Sequence, residues 1–528
     1  MAIRVSGLNS GLDTDSIVKE LVKGYSQKTE KYKKEQTKLG WKQNIWKDLN
    51  KKVNSFYKSV GNLRYSSGYT TKKTASSDTT KASVSASAGA VTGTQKLHIL
   101  STAQSGYLTG GKLAIKNGNK VTLSTKLAEL GFTEGDTTLR FSAKDKDGKD
   151  ISKDISLNKD STIEEVVKQM KDAGLNASFD SGNGRLYLSS ADTGAATDFT
   201  LSATDADGAS AKLLDTLGLN TNSTTNKAVK IDGSDAVIVL NGVEYTSSSN
   251  NFSINGLSIA VNAVTERLDQ VGKNADGSID VSSLDDSKAV SITTSIDSQG
   301  IYDKIKDFLT SYNNIINEIT KLYNADSAKD YEPLSDDEKA EMSDTEIEKW
   351  ETKIKDSLLR RDSNLGTVMN AMTTAMSTGI TVNGKTYALS SFGISTLGYM
   401  NSAENEQNAY HIDGDEDDEN TSGNKDKLMA AINENPDTVI EFMKQLSTNL
   451  YNAMDKQMQS TTLRSRYSIY NDKEMTTQYT NYTKTIKDWE TKVSEKEEYY
   501  YKKFTAMETA LSKLNSQTSQ LSGLFGNS

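Results

Sequence analysis

The chain reads as an α+β multidomain protein. A helical coiled-coil leg is built from both chain termini, and β-rich head domains are inserted between them. Three observations predict this. Both ends carry apolar residues at alternating steps of three and four, the seam of a helix that buries one narrow stripe against another. The middle carries short alternating runs punctuated by Asn-Gly, which is hairpin patterning. The length, 528 residues, exceeds what one hydrophobic core organises.

The N-terminal seam reads Val18, Leu21, Tyr25, Tyr32, Leu39, Trp46, Leu49, Val53, Phe56, Val60 and Leu63, all on one heptad lattice. Lys28, Glu35 and Lys42 occupy the d positions between and weaken its middle. Residues Gly7 to Thr14 form an irregular lead-in, with Asp13 or Thr14 as helix cap and Asp15 at the positive helix end. The helix is expected to run to about Tyr65, roughly 75 Å at 1.5 Å per residue, a rod rather than part of a globule. A Ser/Thr/Gly/Lys linker follows over residues 66–80. Strands follow at Ala82-Val84-Ala86-Ala88 and at 96–100, where His98 reads as a packed or surface residue.

Residues 111–225 read as an α+β insert. Its clearest helix opens on a capping box, Ser161 to Glu164, carries Ile163, Val166, Val167 and Met170, and stops at Gly174. A hairpin turns at residues 181–184. Two similar segments, ending at Phe132 and Leu219, each read as a turn or two of helix closed by Gly. Strands return over 228–286, with type I′ turns at Asn241-Gly242 and Asn255-Gly256. From residue 297 a helix carries Ile301, Ile305, Phe308, Tyr312, Ile315, Ile319 and Leu322. An acidic insertion follows, with capping boxes at Ser335–Glu338 and Ser343–Glu346 and a helix ending near Arg361. Residues 364–378 are helical, Asn383-Gly384 is a third hairpin turn, and 428–458 is helical with an interruption near Pro436.

The last helix, 472–525, carries Met475, Tyr479, Tyr482, Ile486, Trp489 and Val493. After Val493 the register slips, with two successive steps of four near Glu497, a stutter that locally unwinds a supercoil. The seam then resumes through Tyr500, Phe504, Met507, Leu511, Leu514, Leu521 and Phe525. Tyr499 and Tyr501 point off the seam. The domain boundaries expected from this are 1–42 with 490–528 for the terminal coiled coil, and 43–77 with 287–489 for a helical leg domain with a small hairpin near 379–390. Residues 78–110 with 226–286 form a β-rich head, and 111–225 an outer α+β head.

Composition narrows the function. The formal charge is −9 and the pI about 5.2, so no general nucleic-acid partner is expected. The lysines of the first helix (Lys31, Lys33, Lys34, Lys38, Lys42, Lys47, Lys51 and Lys52) read as the solvated face of a coiled coil. The chain has no Cys and 2 His, His98 and His411, which removes thiolate chemistry and nearly removes the commonest general base. No phosphate-loop, nucleophile-elbow, zinc-helix or dinucleotide motif is present, so no enzyme, cofactor or catalytic residue is expected. The run Asp413 to Glu419 imitates a calcium loop, but Asp418 stands where that loop needs Gly and Asn424 where it needs the bidentate Glu. It reads as a solvated loop with no metal. Asp145 to Gly148 and Asp205 to Gly208 are turns first. No apolar run has membrane-span length, so no membrane insertion is expected. The opening MAIRVSGLNSGLDTDS is no signal peptide. Those signs alone indicate a cytoplasmic protein, and they leave room for export by a machine that reads no cleaved signal.

The opening GLNSGLDTDSIVKELV resembles the N-terminus of the bacterial flagellar filament cap family, hook-associated protein 2. SADTGAATDFTL resembles that family's middle domain, and AVIVLNGVEYTSSSNNFSINGLSIAV its double-hairpin segment. LSSFGISTLGYM with LMAAINENPDTVIEFM resembles its C-terminal half, and the closing helix its terminal helix. The insertion around Tyr331–Arg361 departs from shorter members. The resemblance implies export through the flagellar apparatus without a cleaved signal and an extracellular place at the flagellum tip. It implies a ring of five or six copies, with heads as a plate and legs beneath. Flagellin, the hook–filament junction protein and an export chaperone are the implied partners, and the ring retains flagellin and promotes its folding and polymerisation without bond chemistry. Another axial or junction protein, or a stalked adhesin binding glycans, is the alternative. A seam interrupted at Lys28, Glu35 and Lys42 is expected to be marginal in the isolated subunit and to let go as each flagellin enters.

Overall fold

The structure, a computed structural model, describes residues 10–114, 118, 120–145, 148–205 and 208–525, with side chains to residue 522. The start of the lead-in (Gly7 to Asn9), the centres of the two Asp-Gly turns (146–147 and 206–207) and the Phe525 side chain lie outside them. The described residues hold ten helices in chain order: α1 (Thr14–Asn62), α2 (Ile163–Ala173), α3 (Ala209–Thr216), α4 (Ser298–Asn324), α5 (Asp336–Ala340), α6 (Asp344–Ser357), α7 (Ser363–Ser377), α8 (Lys427–Glu434), α9 (Pro436–Gln457) and α10 (Asp472–Phe525). The chain divides into two compact units, Met1–Tyr69 with Ser298–Ser528, and Thr70–Asp297.

The first unit is helical. Asp13 caps α1 by accepting from the Ser16 N–H at 3.0 Å, which satisfies one of the donors a helix start leaves open. The N-terminal half of α1 pairs with α10, and its C-terminal half enters a bundle with α4, α7, α8 and α9. Pro436 opens α9, with Asn435 as its cap, where a missing N–H costs nothing. The core of this bundle includes Ile305, Tyr312, Ile316, Met372, Phe442, Leu446 and Leu450. A small hairpin, Ile380–Val382 with Lys385–Tyr387, turns at Asn383 (φ 50°) and Gly384 (φ 80°).

The second unit is sheet-rich. One sheet has the strand order Lys72–Ser76, Val290–Ile296, Gly93–Ser101, Ala236–Leu240, Val243–Ser247. A three-stranded sheet, Asn251–Ile254, Leu257–Val261 and Ala82–Ala86, shares a core with it through Ile99, Ile238, Ile259 and Ile292. The turns at Asn241 (φ 50°), Gly242 (φ 82°), Asn255 (φ 46°) and Gly256 (φ 79°) both have two successive positive φ values, the type I′ signature that Asn-Gly accommodates. Residues 70–77 and 287–297, grouped with the helices by sequence pattern, belong here instead. The strand Lys72–Ser76 pairs with Val290–Ile296, which pairs with Gly93–Ser101.

Between residues 107 and 231 a second core gathers Phe132, Leu139, Ile155, Val166, Met170, Leu188 and Phe199. It lies among two further sheets, α2 and α3. The capping box of α2 sits one residue later than its sequence suggests. Thr162 is the cap and Glu165 reaches back to its N–H at 3.1 Å. Gly174 closes the helix at φ 112°, a conformation that penalises any side chain.

Candidate functional site: the terminal helix pair

Helices α1 and α10 run antiparallel. Tyr25 faces Trp489 with ring centroids 6.3 Å apart, and Tyr32 faces Tyr482 at 6.4 Å. At the inner end Trp46 stacks on Tyr470 at 5.2 Å. At the outer end the Tyr501 hydroxyl donates to Asp15 at 2.8 Å, and the Ser10 hydroxyl bonds the buried Glu508.

The α1 residues turned to α10 are Val18, Val22, Tyr25, Thr29, Tyr32 and Gln36. Val18, Val22 and Thr29 are buried, and Tyr25, Tyr32, Gln36 and Leu39 half-buried. The Gln36 amide donates to the Thr483 hydroxyl at 2.6 Å. The Thr29 hydroxyl turns back to the Tyr25 carbonyl at 3.2 Å. On α10, Met475 and Ile486 are buried, while Tyr482, Trp489, Val493, Glu497, Tyr500, Phe504, Met507 and Leu511 are half-buried. Little apolar surface leaves water along this stretch, so its stabilisation per turn is small.

This register corrects the sequence expectation at several positions. Leu21 is 45% exposed, while Val22 beside it is 2% exposed. The second row of the seam is therefore Val22, Thr29 and Gln36, one residue later than Leu21, Lys28 and Glu35. Lys28 lies outside the seam with its ammonium 4.7 Å from the Trp489 ring centre. Lys42 pairs with Asp362 at 2.8 Å. The reason lies further along the same helix. Trp46, Leu49, Val53, Phe56, Tyr57 and Val60 are all buried, because there α1 presents two faces to a bundle. Phe56 meets Phe308 and Tyr312, each at 6.4 Å. Tyr57 stacks on Tyr451 at 4.4 Å and donates its hydroxyl to Asp455 at 2.6 Å. The heptad row of Leu49 and Phe56 is real in the bundle, and extending it backwards selects Leu21 wrongly. A two-helix pair uses one stripe, and steps of four then three from Val18 lead to Val22, Tyr25 and Thr29.

Three residues placed on the α10 seam are also exposed: Leu514 at 58%, Leu521 at 53% and Tyr479 at 40%. Tyr479 still covers Gly40, where an added Cβ would lie 3.5 Å from its ring. Leu514 and Leu521 lie past Glu508, whose partner Ser10 is the first described residue.

The first-helix lysines are less free than a solvated face implies. Lys33 reaches Glu490 at 3.3 Å, Lys34 reaches Glu338 at 3.0 Å and Lys52 reaches Glu318 at 2.7 Å. Burial draws the Tyr57 hydroxyl's pKa upward, reinforced by its bond to Asp455. The Tyr57 hydroxyl and the Arg466 guanidinium in turn hold the Asp455 carboxyl below its ordinary value.

The remaining polar candidates are structural. His98 is buried, with Nδ1 3.1 Å from Glu266 and Nε2 3.5 Å from Asp286. The acidic run at 413–419 is tied down at Asp415 and Asp418, while Glu416, Asp417 and Glu419 stay exposed as a solvated loop would have them. Lys306 bridges Asp415 and Asp417, each at 2.6 Å, and His411 pairs with Asp418 at 2.6 Å. A lysine ammonium thus sits between the carboxylates that imitate calcium ligands. Among the described residues no group of three or more His, Asp or Glu is arranged to hold a metal, and no helix is long and apolar enough to cross a membrane.

Comparison with known proteins adds a lineage to this geometry. Residues 233–516 match the family described as flagellar hook-associated protein 2 C-terminus, and residues 10–106 the corresponding N-terminus family. A flagellar hook-associated protein 2 of Halalkalibacterium halodurans is 23% identical over 465 residues, covering 84% of this chain and 79% of that protein. The crystal structure of the flagellar cap protein FliD D1-D2-D3 domains from Escherichia coli is 18% identical. It covers 79% of this chain and 97% of that one, with a TM-score of 0.46. FliD from Pseudomonas aeruginosa PAO1 is 21% identical, covering 44% of this chain and 93% of that one, with a TM-score of 0.30.

Proposed function

The chain belongs to the flagellar hook-associated protein 2 family, the flagellar cap proteins, and from that membership we propose that it closes the growing end of a flagellar filament as a ring of its own copies. In this reading the ring, of five or six subunits, retains exported flagellin and promotes its folding and polymerisation. The sheet-rich unit supplies contacts between copies. The terminal helix pair is the part that engages and releases neighbours as each flagellin enters. Flagellin, the hook–filament junction protein and, before secretion, an export chaperone are its partners. The protein works outside the cell after passing through the flagellar export apparatus, and it performs no bond chemistry.

The observation that supports this best is the seam itself. A cap must stay attached and yet move. A pair of long helices joined through Thr29, Gln36 and half-buried tyrosines, instead of a continuous Leu/Val stripe, is held weakly enough to exchange partners. Deleting the gene is the test. The reading expects flagellin monomers in the medium and no filaments, and purified protein should give small closed rings by native mass spectrometry. Normal filaments without the protein, or open-ended self-polymerisation, would overturn it.

A further inference from the structure

The acidic segment at 331–362 packs against the middle of the terminal helix pair. Pro333, Leu334, Ser335, Asp336 and Lys339 line a cavity of about 400 Å³ with Lys33, Lys34 and Gln36 of α1 and Ile486 of α10. Three polar attachments hold it to one stretch of α1. Lys34 pairs with Glu338 at 3.0 Å, the Lys355 ammonium lies 4.7 Å from the Trp41 ring centre, and Lys42 pairs with Asp362 at 2.8 Å. The segment is itself well built. Ile354 and Leu359 are buried. Glu351 ties Lys339 to Lys355 at 2.8 and 3.1 Å. The Trp350 indole donates to the Glu332 carbonyl at 2.8 Å. Glu338 completes its own helix cap by accepting from the Ser335 N–H at 2.6 Å.

These attachments fall where the seam is most polar. Towards the inner end, α1 is secured by Trp46 and the bundle. Towards the outer end, α10 is its principal packing partner. We propose that residues 331–362 form an electrostatic strap that sets the breakpoint of the helix pair. Opening from the outer end runs inward as far as residues 34–42 of α1 and 479–486 of α10, and halts there. Without the strap the breakpoint moves inward to the stack of Trp46 on Tyr470. The strap thereby determines how much helix each subunit can release while its bundle stays folded.

The test is hydrogen exchange, read by peptide, on the full chain and on the double variant Lys34→Glu, Lys42→Glu. Both changes leave the strap's own caps intact. In the wild type, protection should step up within residues 34–42 and 479–486. In the variant, exchange over residues 30–42 should rise roughly three- to tenfold, the scale expected when weak ion pairs turn repulsive, while peptides of α4, α7 and α9 keep their protection. In 1 M salt the wild type should shift the same way, because these pairs are screened. Unchanged exchange over 30–42 with an intact bundle would overturn the proposal. So would a rise spread evenly through the bundle, which would mean these contacts support the whole unit and not a local stop.

Discussion

The two halves of α1 are the same helix in opposite circumstances. From Trp46 to Val60 it buries six large side chains in a bundle and is fixed on two faces. From Thr14 to Lys42 it has one partner helix, a seam with Thr29 and Gln36 in it, and a strap at one end. A continuous helix can therefore be stable at one end and exchangeable at the other, because helix stability in proteins comes from tertiary packing and not from propensity. Under the proposed function, that difference lets the outer pair exchange while the bundle holds.

The comparison breaks most sharply at the inner end. Phe56→Ala removes a ring from contact with Phe308 and Tyr312, and it should cost about 3–5 kcal/mol in global unfolding by denaturant. In the outer half, Val22→Ala should cost about 1–2 kcal/mol, visible as faster exchange over residues 14–30 with little change in the bundle. Leu21→Ala should leave both within about 0.5 kcal/mol. Equal effects at 21 and 22 would contradict the register. Gln36→Leu should strengthen the outer pair by about 1 kcal/mol and slow filament growth. A stiffer pair with unchanged growth would separate the seam from function.

The smallest expected effect is with acid. The Ser335 N–H and the Lys34 ammonium pull the Glu338 pKa down to about 2. Its contribution to the strap is therefore complete above the ordinary carboxylate range and is lost as pH falls from there towards 2. Protection over residues 30–42, taken relative to the intrinsic exchange rate at each pH, should fall between pH 5 and pH 3 more in the wild type than in Glu338→Gln.

Local chemistry made much of this fold legible. The Asn-Gly pairs at 241, 255 and 383 announce their turns because few residues tolerate two positive φ values. The interruption expected near Pro436 falls where α8 ends and α9 begins, for equally local reasons. The capping box slipped by one residue because Ser161-Thr162 followed by Glu164-Glu165 offers two equivalent readings. The seam is harder, since Leu21 is a better hydrophobe than Thr29 and only the number of packing partners decides between the two registers. The strap's own helices are legible from the capping boxes at Ser335 and Ser343, but its docking on α1 is not. Lys34 and Glu338 are 304 residues apart, and nothing in either segment names the other.

The most direct test closes the outer helix pair covalently. The chain contains no cysteine, so Tyr32→Cys with Tyr482→Cys provides one addressable pair across facing positions. Joined by a short reducible bismaleimide and added to filaments from a strain lacking the protein, the closed form should bind the tip but stop elongation until the link is reduced. Elongation at the unlinked rate with the pair still closed would contradict the account.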